Sequence, residues 1–135
     1  MKDEDRPVLL LTCSGISHTG QLTTLAGRFI RSMYPALLSR HLVLTGLTRS
    51  LEEELDGDER LVVVDGCDQC CARKRVLLAG KVMDGHLVAT AEGIAKRGME
   101  EPRFDEIQRL SHVIMRIVKN DGHISHRVPP GQDHE

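Results

Sequence analysis

The chain has almost no aromatic residues: Phe, Trp and Tyr together make up 2% of it, and Trp is absent. Its core must therefore be aliphatic, and a single-stranded nucleic-acid surface, which stacks bases on exposed rings, has little to be built from. There is no excess of basic charge either. The formal net charge is −2, so the electrostatic footprint of a nucleic-acid partner is missing. Long hydrophobic runs are lacking as well. The charged residues Met1 to Arg6 are followed by an apolar run that stops at Leu11, too short for a secretory leader and far too short for a membrane span. The expectation is a cytoplasmic protein with neither a membrane nor a nucleic acid as partner. Cysteines are few, four in all. In a reducing compartment they argue against a structural disulfide and for metal binding or thiol chemistry.

What remains is an ordinary globular composition, 40% hydrophobic and 28% charged over 135 residues, enough for one domain with a real core. Pro7 to Thr12 reads as a buried strand broken by Ser14-Gly15. From Ser17, a natural N-cap, Leu22, Leu25, Ala26, Phe29, Ile30 and Met33 recur at helical spacing until Pro35. His41 to Thr45 reads as a second strand closed by Gly46, and Leu47 to Leu55 as a brief helix capped by Ser50. Leu61 to Asp65 is continuously apolar until its last residue, as a parallel strand covered on both faces would be. A helix is expected from about Cys70 to Lys81, a fourth strand over His86–Thr90, and a last helix opening at Pro102 with its apolar stripe on Phe104, Ile107, Leu110, Ile114, Ile117 and Val118. From Asn120 the chain is polar, so the domain is expected over 7–120, with a disordered tail over 121–135.

Strand and helix alternate, which implies an α/β fold: a single three-layer, Rossmann-like domain with a mostly parallel four-stranded sheet and helices on both faces. In the common order 2-1-3-4, strands one and three flank the point where ligands bind, beyond the C-terminal strand ends. The cysteines fall at that point. Cys13 follows the first strand in Leu11-Thr12-Cys13-Ser14-Gly15, and Cys67, Cys70 and Cys71 follow the third in Asp65-Gly66-Cys67-Asp68-Gln69-Cys70-Cys71. Neighbouring strands lie ~4.8 Å apart, close to the roughly 3.8 Å between two sulfurs on one tetrahedral zinc, so the two loops can share an ion with little adjustment. Cys67 and Cys70 have the C-x-x-C spacing that presents two thiolates to one metal. Cys70 and Cys71, adjacent on a helix, point about 100° apart and do not suit one ion together. The expected ligands are Cys13, Cys67 and one of the pair Cys70 and Cys71. The bland alternative is that Cys13 and Cys70 are small core residues.

A second chemistry is open to the same residues. Cys67 to Cys71 stand at a helix start beside Arg73, Lys74 and Arg75, where dipole and cations favour thiolate below the free pKa of ~8.5. A thiol-dependent enzyme working through Cys67, by redox exchange or on an oxyanion, is therefore the alternative reading. The C-x5-R spacing from Cys67 to Arg73 is that of an oxyanion-holding loop, although no glycine lies between them. Gly15 and Gly20 have phosphate-loop spacing, but Gln21 and Leu22 stand where Lys and Ser or Thr are required. Asp65 at its strand end suits either support for loop amides and a ligand or a plain turn.

These motifs resemble the DGC-domain family: Cys13-Ser14-Gly15, Gly20-Gln21-Leu22, Asp65-Gly66-Cys67 and Cys71-Ala72, with the likeness running over most of residues 7 to 119. The resemblance implies a cluster of cysteines chelating zinc. Its ligands here would come from Cys13, Cys67, Cys70 and Cys71, and it implies no defined reaction. Relatives often carry a further cysteine near the end of the second strand, whereas this chain has Val43-Leu44-Thr45-Gly46. That leaves Cys70, His18 or a water to complete the shell.

Overall fold

The computed structural model describes residues 6–119. Its elements run β1 (Val8–Thr12), α1 (His18–Met33), β2 (Arg40–Val43), α2 (Leu51–Glu54), β3 (Arg60–Asp65), α3 (Cys71–Leu78), β4 (Gly85–Val88) and α4 (Phe104–Lys119). The four strands form one parallel sheet in the order β2-β1-β3-β4, as expected from the alternation.

The period-2 geometry of the strands explains the three layers. Val8 and Leu10 of β1 and Val62 and Val64 of β3 point to one face, where Leu22, Ala26 and Ile30 of α1 and Leu110, Ile114 and Ile117 of α4 close over them. Leu9, Leu11, Leu61 and Val63 point to the other, against Leu51 of α2 and Ala72 and Val76 of α3. Both central strands are covered on two sides, hence their unbroken apolar sequence. Each fully buried Leu or Val contributes about 1.5–3 kcal/mol relative to exposure. Cys13 belongs to the second cluster, continuing the Leu9–Leu11 face past the end of β1.

The helix starts follow the sequence signals. Ser17 caps α1 by accepting from the Gly20 amide at 3.2 Å. Ser50 and Glu53 form a reciprocal capping box on α2.

Four boundaries differ from expectation. β2 stops at Val43, and Leu44–Gly46 turns into a single 3-10 turn; β4 likewise stops at Val88 and gives way to a 3-10 turn over Ala89–Glu92. In both places apolar residues continue the strand's hydrophobic pattern after its ladder has ended, because the turn also packs inward. α3 is shorter than expected, ending at Leu78 rather than Lys81. Pro102 precedes α4 instead of opening it. The expected tail, 121–135, lies outside the described residues.

Candidate metal site

The C-terminal ends of β1 and β3 lie side by side, with Thr12 in register with Val64. Just past them the Cys13 amide donates to the Val64 carbonyl at 3.1 Å, and the Gly66 amide donates to Cys13 Sγ at 3.2 Å. The first cysteine therefore touches the residue next to Cys67. Gly66 is required at this crossing: a Cβ there would stand 2.8 Å from the backbone carbonyl of Thr19, in the first turn of α1. The two cysteine loops and the start of α1 close on one another through that missing side chain.

Asp65 organises the second loop. It is 1% exposed and accepts three hydrogen bonds, from the amides of Ala72 (2.8 Å) and Arg73 (3.1 Å) and from His86 Nε2 (3.0 Å). The two amides belong to the first turn of α3, where unpaired donors must be satisfied. Asp65 thus does the work of a capping side chain from outside the helix. The residue in the cap position, Cys70, makes no capping bond with its own side chain and sits in the left-handed region at φ 51°, ψ 49°. Its sulfur is left for other partners.

Register supplies the remaining donor. His86 lies opposite Val63 on β4, on the face that also carries Asp65 and Cys13. One donor atom each from Asp65, Cys70 and His86 falls within 4.8 Å of the others. Among the described residues this is the group of three Cys, His or carboxylate side chains placed closely enough to hold a metal ion. Sulfur, imidazole and carboxylate are all zinc ligands, at ~2.0–2.3 Å from the ion, so the set fits such an ion after the donors close in by about an ångström and the His86–Asp65 bond opens. A histidine paired to a carboxylate is also the usual arrangement for orienting a metal-bound imidazole.

The four cysteines are all free thiols: Cys13 buried, Cys67 and Cys70 half-buried, Cys71 exposed at the first position of α3. Burial pushes the Cys13 thiol up, and the Asp65 charge raises it further. Cys70 is pushed up to about 11 by burial and then by Asp65, against the pull of Arg73 and Lys74. The helix start and its cations thus do not yield a thiolate at Cys70, contrary to the sequence expectation, because burial, with the negative charge of Asp65 added to it, works against the charged form. Nearby cysteines repel one another in the same sense, Cys71 on Cys13 and Cys67 on Cys70.

His18 does not turn toward this group. It is fully buried, and its Nε2 pairs with Glu106 Oε1 of α4 at 2.9 Å. Glu106 also accepts from the Arg103 amide and from Arg97 Nε. Burial works against its charge, but the hydrogen bonds from His18, the Arg103 amide and Arg97 outweigh burial and hold the carboxyl at about 2.

His86 is the residue that sequence reading passed over. The only signal was a polar side chain at the start of an otherwise apolar run, and its partner was set by strand register rather than by spacing. Asp65 was anticipated as support for amides, and the amides prove to be those of α3.

No helix among the described residues is long and apolar enough to cross a membrane. Comparison with curated proteins and with solved structures returns no match. The DGC domain matches residues 9–114, which include every cysteine as well as Asp65 and His86. The chain belongs to the DGC domain family.

Proposed function

We propose that this protein binds a thiophilic divalent metal, zinc in the first instance, where the loops after β1 and β3 meet. The reading places Cys13, Cys67 and one of Cys70 and Cys71 as thiolate ligands, with Asp65 and His86 as further donors or as the groups that orient them. It rests on one observation above the others: Asp65, Cys70 and His86 bring a carboxylate, a sulfur and an imidazole within 4.8 Å, inside the stretch that matches the DGC domain. Bound there, zinc would supply a Lewis-acidic centre and a clamp between two loops. The chain's own residues do the rest. Gly66 lets the loops approach, Asp65 fixes the start of α3, and the aliphatic wall of Leu11, Val63 and Ala72 excludes water behind the donors. A mixed donor set with an open position suits metal handling or metal-dependent chemistry better than a closed four-thiolate clasp. Free thiols of this kind fit the reducing cytoplasm.

Thiol chemistry at Cys67 is the competing reading. The raised Cys70 removes one nucleophile from it.

Elemental analysis of protein purified under reducing conditions separates the two. The metal reading expects near-stoichiometric zinc, lost in Cys67→Ser and in His86→Ala, with the zinc-loaded protein melting above the chelated one. Metal-free protein whose Cys67 alkylates rapidly at neutral pH would hand the site to thiol chemistry.

A further inference from the structure

A second concentration of polar groups lies on the opposite face of the sheet, at its outer edge. His41 of β2 stands opposite Leu10, so its ring lies on the α1 side. There α1 carries Gly27, where a Cβ would stand 2.5 Å from both Cε1 and Nε2 of the His41 ring. A glycine inside a helix costs about 1 kcal/mol relative to alanine, and here that loss admits an imidazole. His41 Nε2 is 3.0 Å from Thr12 Oγ1, which is 3.4 Å from Thr24 Oγ1. Thr12 and Thr24 are buried. This chain of polar groups occupies a wall that its neighbours fill with aliphatic side chains.

The wall borders a cleft of about 430 Å³, whose polar lining includes Ser14, Thr24, Arg28, His41, Thr45 and Thr48. That size suits a small organic ligand. The charge is one-sided. Arg28 has no carboxylate or carbonyl partner among the described residues. Arg31, one turn further along α1, donates to the carbonyls of Leu38 and Ser39, and so keeps its full charge beside the ring. The one carboxylate on the lining, Glu54, is taken by Arg40 at 2.9 Å. An open depression outside the cleft shares Arg28 and His41 and adds Arg31 and Arg40.

We propose that this cleft binds a small ligand bearing an oxyanion, a phosphate ester or a carboxylate. Arg28 supplies the charge, and the hydroxyls of Ser14, Thr45 and Thr48 supply neutral donors. His41, turned by Thr12 and seated on Gly27, forms the inner wall. An arginine fork matches the planar or tetrahedral oxygens of such groups. The proposal uses no cysteine and stands apart from the metal reading.

The test titrates the full-length protein with inorganic phosphate and, in parallel, with citrate, at ionic strength held constant with sodium chloride. The readout is two-dimensional NMR of the backbone amides and of the histidine Cε1–H groups. Saturable shifts at His41, Gly27 and Thr45 support the site, and whichever anion saturates at lower concentration names the class. Arg28→Gln should weaken binding by about tenfold or more with melting temperature and zinc content unchanged. Thr48→Ala should weaken it less. Shifts that grow linearly with concentration, shifts matched by chloride alone, or full affinity in Arg28→Gln would overturn the proposal.

Discussion

His86 and His41 are both strand histidines near the same end of one sheet, and their neighbours have opposite charge. His86 faces the Asp65 carboxylate and a half-buried thiol on the α3 side. His41 faces Arg28 and Arg31 on the α1 side. The fold explains the division. In a parallel sheet all C-terminal strand ends point one way, and alternate residues go to opposite faces, so one rim serves two helical layers. One layer gathers anionic donors, and the other gathers cations and hydroxyls. A divalent metal suits the first and an oxyanion the second.

The largest way to break this comparison is at Asp65. Asp65→Ala removes the acceptor for two helix amides and for His86 from a site 1% exposed. The expected loss is about 3–5 kcal/mol, as when one partner of a buried pair is taken away, read from denaturant unfolding of the metal-free protein. The equivalent removal at the other histidine, Arg28→Gln, should move the unfolding free energy by no more than about 0.5 kcal/mol, since exposed side chains away from such networks contribute little.

Between these two lies an effect of pH that His41 produces. Its ordinary value is 6.5, and burial, helped by Arg28 and Arg31, lowers it to about 4 in the folded chain. Between those values the unfolded chain takes up a proton that the folded one refuses. The stability present above pH 6.5 is therefore lost progressively as pH falls toward 4. The full shift would amount to roughly 3 kcal/mol, and the partial exposure of the ring reduces this to about 2 kcal/mol. Arg40 adjoins His41 on β2, but it is paired with Glu54 of α2 and with Glu59, just before β3. Glu106 loses its contribution in a lower window, from 4.5 down to about 2. Urea midpoints of the wild type and His41→Gln from pH 7 to 4 check the assignment: the variant should show a flatter slope over that interval. Equal slopes would place the acid sensitivity elsewhere.

Much of the fold was legible because its signals are local. The unbroken apolar runs at Leu9–Leu11 and Leu61–Val64 announce strands covered on both faces, and Ser17 and Ser50 mark helix starts by their own side-chain bonds. The convergence of Cys13 on the Cys67 loop followed from strand order alone. The pairing of Asp65 with His86 did not, because it depends on the register of β4 against β3, and no spacing within one loop encodes that. The rise of the Cys70 thiol was hidden for a related reason. The cations beside it are adjacent in sequence, whereas the burial that raises it most, and the Asp65 carboxylate that adds to this from the strand, arise only in the folded chain. The ends of β2 and β4 were misjudged because hydrophobicity reports burial, and burial continues into turns where the ladder does not.

The backbone at Cys70 carries a further consequence. A side chain in the left-handed region is disfavoured by about 1–2 kcal/mol, a burden glycine would not bear, and glycine would return only part of that gain as lost chain entropy. Cys70→Gly should therefore leave the fold as robust as before, or slightly more so, while deleting the sulfur. Fold stability alone therefore does not account for a cysteine at this position.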